Sequence, residues 1–374
     1  MHTFIESFKP FLIFVFIFIS VFFGACGESE QQSTAPDIND LLSLTATEIF
    51  SISEVEDVYF SHLGYESVVL ENGDILMPDR QLSNLIVLNK EGNLLKTVRE
   101  GRGPGEIQDA YEFTVDQKGN VYTYDQGNDK ILVFDRAIDL LKEVIPANYE
   151  STSLIKAYPV YENEWIFEMT SFEFLRNEEK EREKFLIKYD LEAEKYGEPQ
   201  VLKAQPYVRL IVDGQPRGAS LIPYSYGNIT AYNTEKQTLF TFDTATDEIA
   251  EINADFDTLR TIPVNLPTEE ISSAERDSMK SEYDDLRWDA LKSVLPEVKA
   301  PVNKMIYHKG EFWMESNLLG DTEMWLVLNS KGQITRVVHL PKDSMLMHVS
   351  DEHLGVRLDD VTFALFTNPK PEAL

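Results

Sequence analysis

Phe113-Thr-Val-Asp-Gln-Lys-Gly-Asn-Val-Tyr122, Ile131-Leu-Val-Phe-Asp135 and Leu140-Leu-Lys-Glu-Val144 form the stretch from which the rest of the chain is read. Each run is short, apolar or alternating, and bounded by Gly, Asn or Asp, as strands joined by tight turns are. A Gly/Pro segment, Arg99-Glu-Gly-Arg-Gly-Pro-Gly-Glu106, precedes them. Together they predict an antiparallel meander entered through a loop.

Weaker copies recur along the chain, and fixed-period recurrence is the signature of a repeat fold. A turn followed by an apolar strand appears at Asn72-Gly-Asp-Ile-Leu76, Gly119–Tyr122, Asn163-Glu-Trp-Ile-Phe167, Gly227-Asn-Ile229 and Gly310-Glu-Phe-Trp313, with a degenerate copy at His353-Leu-Gly-Val356. An apolar strand ending in Asn or Asp appears at Leu85–Asn89, Ile131–Asp135, Leu186–Asp190, Leu239–Asp243 and Trp325–Asn329. The short Asn or Asp side chain hydrogen-bonds the backbone two residues on and opens a turn. A further strand follows at Leu94–Val98, Leu140–Val144, Ile249–Ile252 and Ile334–Val338. Gly73 and Gly119 are separated by the roughly 40–50 residues of a propeller blade. The expectation is an all-β, six-bladed β-propeller over 47–370. Its last repeat, 345–367, lacks an outer strand, which Glu48-Ile-Phe-Ser-Ile52 is placed to supply. Such closure removes exposed sheet edges.

The stretch 268–298 breaks the pattern. Ile271, Met279, Tyr283, Leu286 and Ala290 recur at near-helical spacing, and Thr268 with Glu269 and Glu270 forms a plausible capped start. A helical insertion on one face of the ring is expected, ended by Pro296 and Pro301.

The N-terminus reads as an address. Pro10–Phe23 is almost wholly apolar but shorter than the roughly 20 residues of a membrane span. It fits the apolar region of a secretory signal. Phe23-Gly24-Ala25-Cys26 resembles a bacterial lipobox, with Phe23 departing from the usual aliphatic residue. The expected organisation is a lipoprotein signal peptide over 1–25, lipidation at Cys26 and a flexible polar tether over 26–46. Glu28 and Glu30 resemble the surface-export signal of Bacteroidetes lipoproteins. The implied location is the cell envelope, on the outer membrane, with the membrane as partner through Cys26.

The net charge is −30, which disfavours nucleic acid as a partner. Cys26 is the single cysteine, so an internal disulfide framework and a CxxC metal site are excluded.

Gly101-Arg-Gly-Pro-Gly-Glu106, Asp116-Gln-Lys-Gly-Asn-Val-Tyr122, Asp125-Gln-Gly-Asn-Asp-Lys-Ile131 and Val133-Phe-Asp135 resemble the six-bladed β-propeller lipoproteins of Bacteroidetes, themselves similar to NHL-repeat propellers. A second echo runs from Pro301-Val-Asn-Lys-Met305 into His308-Lys-Gly-Glu-Phe-Trp313. The resemblance implies fold and address rather than a reaction.

Catalytic motifs are absent from the sequence. The Gly101–Glu106 loop lacks the GKS/T of a phosphate cradle and reads as a connector between blades. Asp125-x-x-Asn128-Asp129 has oxygen ligands but not calcium-loop spacing. His339, His348 and His353, with Asp351 and Glu352, form no HExxH. No GxSxG elbow is present. No cofactor, catalytic residue or metal ligand is therefore assigned. The candidate ligand contacts are Tyr207, Arg209, Arg217, Tyr224 and Tyr226 in loop insertions, and Trp288 in the helical stretch. Exposed aromatic and Arg side chains on loops are the types favoured at binding hot spots. The functional expectation is a non-enzymatic binding or scaffold module for a protein, peptide or glycan. The alternative is a metal-dependent, lactonase-like hydrolase or a lyase.

Overall fold

Alternate side chains of the strand Val121–Asp125 enter different cores: Val121 joins an apolar cluster with Leu76 and Leu85, while Tyr122 and Tyr124 join one with Trp165 and Phe167. That split is the period-2 rule of a strand applied to a blade with neighbours on both faces. The computed structural model describes residues 35–371, apart from Ser83, Glu150 and Glu178. The expected signal peptide, 1–25, and Cys26 lie outside the described residues.

Six antiparallel sheets make six blades. Blade one is Val68–Val69, Ile75–Asp79, Asn84–Leu88 and Leu94–Val98. Blade two is Ala110–Val115, Val121–Asp125, Lys130–Phe134 and Leu140–Val144. Blade three is Thr152–Pro159, Glu164–Ser171 and Lys184–Asp190, with Lys195–Tyr196 and Gln200–Leu202 sharing its outer position. Blade four is Asn228–Asn233, Thr238–Asp243, Glu248–Ile252 and Thr258–Pro263. Blade five is Val302–His308, Glu311–Ser316, Glu323–Leu328 and Ile334–Leu340. Blade six is Met345–Val349, His353–Arg357 and Phe363–Thr367, completed by Glu48–Ile52, which pairs antiparallel with Phe363–Thr367. The N-terminal strand therefore closes the ring as its sequence position predicts.

The core is distributed between blades. Each of the six apolar clusters joins one blade to the next, and the last places Phe363 and Leu365 of blade six against Ile75, Met77, Ile86 and Leu88 of blade one. Burying a Phe or Leu side chain is worth about 1.5–3 kcal/mol, so these interfaces supply most of the drive to close.

The turn chemistry agrees with the repeat. Asn89 Oδ1 accepts from the backbone N–H groups of Glu91 and Asn93, Asp135 and Asn329 accept from the matching positions of their own turns, Asp190 accepts from Glu192 and Ala193, and Asp243 accepts from Ala245. At the turn after Asn329, Gly332 has φ +79°, and a Cβ there would stand 2.0 Å from the Pro263 carbonyl oxygen of blade four. Only glycine fits that close approach.

Three features depart from expectation. Residues 38–45, assigned by sequence to the tether, lie along the propeller: Ile38 and Leu41 pack on the blade four–five cluster, and Ser43–Thr45 pairs parallel with Ile334–Leu340. Their few apolar groups find a ready-made surface. The helical insertion begins at Ser272, not Thr268, because Ser272 and Glu275 form a reciprocal capping box. It consists of Ser273–Glu282 and Asp285–Leu291, which bury Met279 and Leu291, while Leu286 stays exposed. Finally, the loop insertion holding Tyr207 and Arg217 is a hairpin, Tyr207–Val212 with Gln215–Leu221.

Candidate functional site

The first strand of each blade lies at one edge of its sheet, and those of blades two and three, four and five, five and six, and six and one contact each other. They line the central channel. The chain enters all of them from one face, here the entry face. That face carries the 207–221 hairpin, the 273–291 helices and the loop 172–183. Short turns make the opposite face, where Gln117 Nε2 donates to the Glu235 carbonyl and Thr234 Oγ1 to the Val115 carbonyl.

Four of the first strands carry a register irregularity near the entry face. The breaks fall between Leu154 and Lys156, between Val302 and Lys304, between Leu346 and His348, and within Ala110–Phe113. A bulge re-aims the side chain that follows it. The residues so placed are Glu112, Lys156, Lys304 and His348, on blades two, three, five and six. Glu66 precedes the first strand of blade one, and Thr230 lies on that of blade four.

These groups meet across the channel. Lys156 Nζ is 2.6 Å from Glu66 Oε1, and Glu66 Oε2 also accepts from the Phe113 amide at 2.8 Å. Glu168, cross-strand from Lys156, is 2.6 Å from Lys184 Nζ and accepts from the Tyr158 hydroxyl at 2.6 Å and from Thr230 Oγ1. Lys304 Nζ donates to the carbonyls of Leu346, at 3.0 Å, and Tyr65, at 3.3 Å. Among the described residues no carboxylate oxygen comes within 4.0 Å of it. Arg182 stacks over the Tyr207 ring at 4.5 Å, near the mouth.

The protonation states follow from burial and neighbours. Burial, reinforced by Glu66, raises the Glu112 carboxyl to about 8. Burial also raises Glu168, but Lys184 and three hydrogen bonds outweigh it and hold Glu168 at about 2. Glu66 is likewise held low by Lys156 and Lys304 against its burial. Burial pulls Lys304 down and pushes Glu315 up. Burial and His308 depress His348 to about 4, so it is a neutral imidazole at physiological pH. Strongly perturbed ionisable groups gathered in one channel make that channel the candidate functional site.

The six residues singled out from sequence all lie on entry-face insertions, in separate settings. Tyr207 packs edge-on to Phe174 and under Arg182. Arg209 clips the 172–183 loop by donating to the carbonyls of Phe174, Asn177 and Lys180. Tyr224 lies beneath the Lys299 ammonium at 5.1 Å, and the Tyr226 hydroxyl donates to the Lys299 carbonyl at 3.2 Å. Arg217 is exposed near the hairpin tip, and Trp288 is half-buried on the second helix. The channel residues carried no such flag. Their signal was a charged residue two positions after an apolar one and just before another, as in Leu154-Ile-Lys156-Ala157, Val302-Asn-Lys304-Met305 and Leu346-Met-His348-Val349.

Neither suspected metal stretch has an open donor set. The Asp125 carboxylate accepts from the Gln108, Asp109 and Gly127 amides and from Asn128 Nδ2, and Asp79 makes the matching bonds in blade one. His339 binds Ser43 and Thr322 on the outside of blade five, whereas His348 faces the channel. Among the described residues no three His, Cys, Asp or Glu side chains are grouped to hold a metal ion.

Residues 60–199 match the family DUF5128, described as 6-bladed beta-propeller. No curated protein matches the chain. A crystal structure of an exported protein from Bacteroides fragilis is similar at a TM-score of 0.50 and 14% identity, covering 88% of this chain and 100% of that one. A Bacteroides vulgatus member of the DUF4221 family is similar at 0.50 and 11% identity, covering 86% and 97%. A Xanthomonas campestris gluconolactonase is a weaker likeness, with a TM-score of 0.43 and 12% identity over 82% and 87%. The chain is a six-bladed β-propeller.

Proposed function

We propose that this protein is a lipid-anchored cell-envelope propeller that binds a protein, peptide or glycan through its entry face without transforming it. The observation that carries this reading is the asymmetry of the two faces. The hairpin, the helix pair and the charged channel mouth share one face, and short turns close the other. Loops displayed on a rigid scaffold are where binding residues concentrate. Arg217 and Trp288 are the exposed and half-buried hot-spot types on that face. The buried cations other than Lys304 are engaged with carboxylates or rings, which suits recognition better than nucleophilic chemistry. Anchoring rests on the lipobox at Cys26. Among the described residues no helix is long and apolar enough to cross a membrane.

The test is a glycan and peptide array probed with the purified chain, with Arg217→Ala and Trp288→Ala as entry-face variants and Lys118→Ala on the other face. Binding lost in the first two, kept in the third, with the ligand recovered chemically intact, is the expected result. Cleaved or rearranged ligand would instead establish the hydrolase or lyase alternative. Cys26→Ala should move the protein from the membrane to the soluble fraction.

A further inference from the structure

Lys304 differs from the other lysines of the channel. Lys156 and Lys184 each have a carboxylate oxygen at 2.6 Å. Lys304 has two main-chain carbonyls, one of them at a long 3.3 Å. An ammonium carries three donors, so the third has no protein acceptor among the described residues. Lys304 is partly buried, and a charge partly withdrawn from water is ordinarily paired or holds a ligand. The side chain is set at this point by the irregularity at Asn303, the same device that sets Lys156 and His348, so its placement belongs to the architecture of the ring.

We propose that Lys304 is the seat of a carboxylate group of a small-molecule ligand, held in the throat of the channel with the Glu112 carboxyl as a second donor. This rests on the entry face being the binding face. The charges that act on Lys304 are those of Glu66, Glu315 and Lys156. Glu112 adds none while its carboxyl is protonated, and burial keeps it so up to about pH 8. His348 is a neutral imidazole there and adds no charge. Glu66 and Glu315 both act on Lys304, so a second negative charge on the ligand would be repelled. A protonated carboxyl donates to a carboxylate, and a charge-assisted hydrogen bond of that kind is about twice as strong as a neutral one. Once Glu112 ionises it becomes the anion that Lys304 lacks, and it repels the ligand.

The probes are acetate, glucuronate and malonate, titrated against the full chain by thermal unfolding, with chloride at equal ionic strength as the reference. Acetate and glucuronate represent a free acid and an acidic sugar, and malonate the dianion. Both monoanions should stabilise the protein near neutral pH, malonate less so. Affinity should fall about tenfold or more once Glu112 ionises, and by a similar factor in Lys304→Met, a loss of about 1.4 kcal/mol. Lys304 holds two main-chain carbonyls and, among the described residues, no carboxylate within 4.0 Å, so Lys304→Met breaks no ion pair and should unfold normally without ligand. Glu112→Gln should keep binding and lose its pH dependence, and Lys342→Met, at an exposed lysine, should match the wild type. Equal stabilisation by acetate and chloride, or equal acetate affinity in wild type and Lys304→Met, would overturn the site. Array binding that survives this result leaves the entry-face reading standing. Carboxylate binding with entry-face variants silent on the array would remove that reading instead.

Discussion

Lys156 of blade three reaches past blade two to Glu66 at the entrance to blade one, and its Nζ stands 2.6 and 2.7 Å from the two carboxylate oxygens. Ninety residues separate the two in sequence. Both side chains are about one-fifth exposed, Lys156 at 18% and Glu66 at 19%, so they lie in a narrow channel rather than in a dry core. The pair ties together blades that share no apolar interface.

Breaking one side of this pair should cost more than deleting both. Lys156→Met leaves Glu66 as an uncompensated, mostly buried carboxylate and should destabilise by about 3 kcal/mol. Lys156→Met with Glu66→Gln should recover most of that loss in urea unfolding. Additive losses would show that the two side chains act independently.

Ring closure makes a separate prediction. Deleting the chain through Ile52 strips blade six of Glu48–Ile52 and leaves Phe363–Thr367 as an open edge. It also removes Phe50, whose ring lies 6.5 Å from that of Phe363. An unpaired apolar edge invites association, so the truncated protein should aggregate on size-exclusion chromatography. Deletion through Thr45 removes a parallel strand from the rim of blade five and the packing of Ile38 and Leu41, and should leave a monodisperse, somewhat less stable protein.

Stability should fall as pH rises from neutrality towards 8. Glu112 titrates at about 8 in the folded chain and near the usual carboxyl value when unfolded, so between those limits the folded state holds the extra proton. Stability then drops with increasing pH. His348 has the opposite effect at lower pH. Its folded value of about 4 lies below the unfolded 6.5, so stability rises across that window and offsets Glu112 there. Above about 6.5 only the Glu112 slope remains. Glu112→Gln should flatten the profile of unfolding free energy between there and pH 8, and a retained slope would remove Glu112 as its source.

Asp125→Ala should cost about 3 kcal/mol in thermal or urea unfolding, because three backbone amides and the Asn128 side chain lose their acceptor. Calcium should not restore it and a chelator should not mimic it, since the carboxylate is already saturated by N–H groups. Rescue by calcium would revive the metal reading of the 125–129 stretch.

The blades were legible because each is specified locally. Gly119–Tyr122 and Ile131–Asp135 carry both the alternation that builds a strand and the side chain that opens the next turn, and the five Asn and Asp turns hydrogen-bond as their spacing implies. The closing role of Glu48–Ile52 was legible for the same reason, as a strand without a local partner facing a blade without an outer strand. The start of the insertion was misplaced at Thr268 because two capping residues compete, and only Ser272 has a Glu three residues on to complete the box.

The channel was not legible. Glu66, Glu112, Lys156, Lys304 and His348 lie on five blades, each an isolated polar residue in or beside an apolar strand. The repeat and its turns are set by neighbours a few residues away, and the closing strand is recognisable as a strand without a local partner. Tertiary structure alone decided which charges face one another. That depends on one-residue bulges that turn a side chain from a blade interface into the channel, and on ring closure, which brings groups hundreds of residues apart into a common, poorly solvated space. The values of about 8 at Glu112 and about 4 at His348 arise from that shared burial and from no local sequence feature.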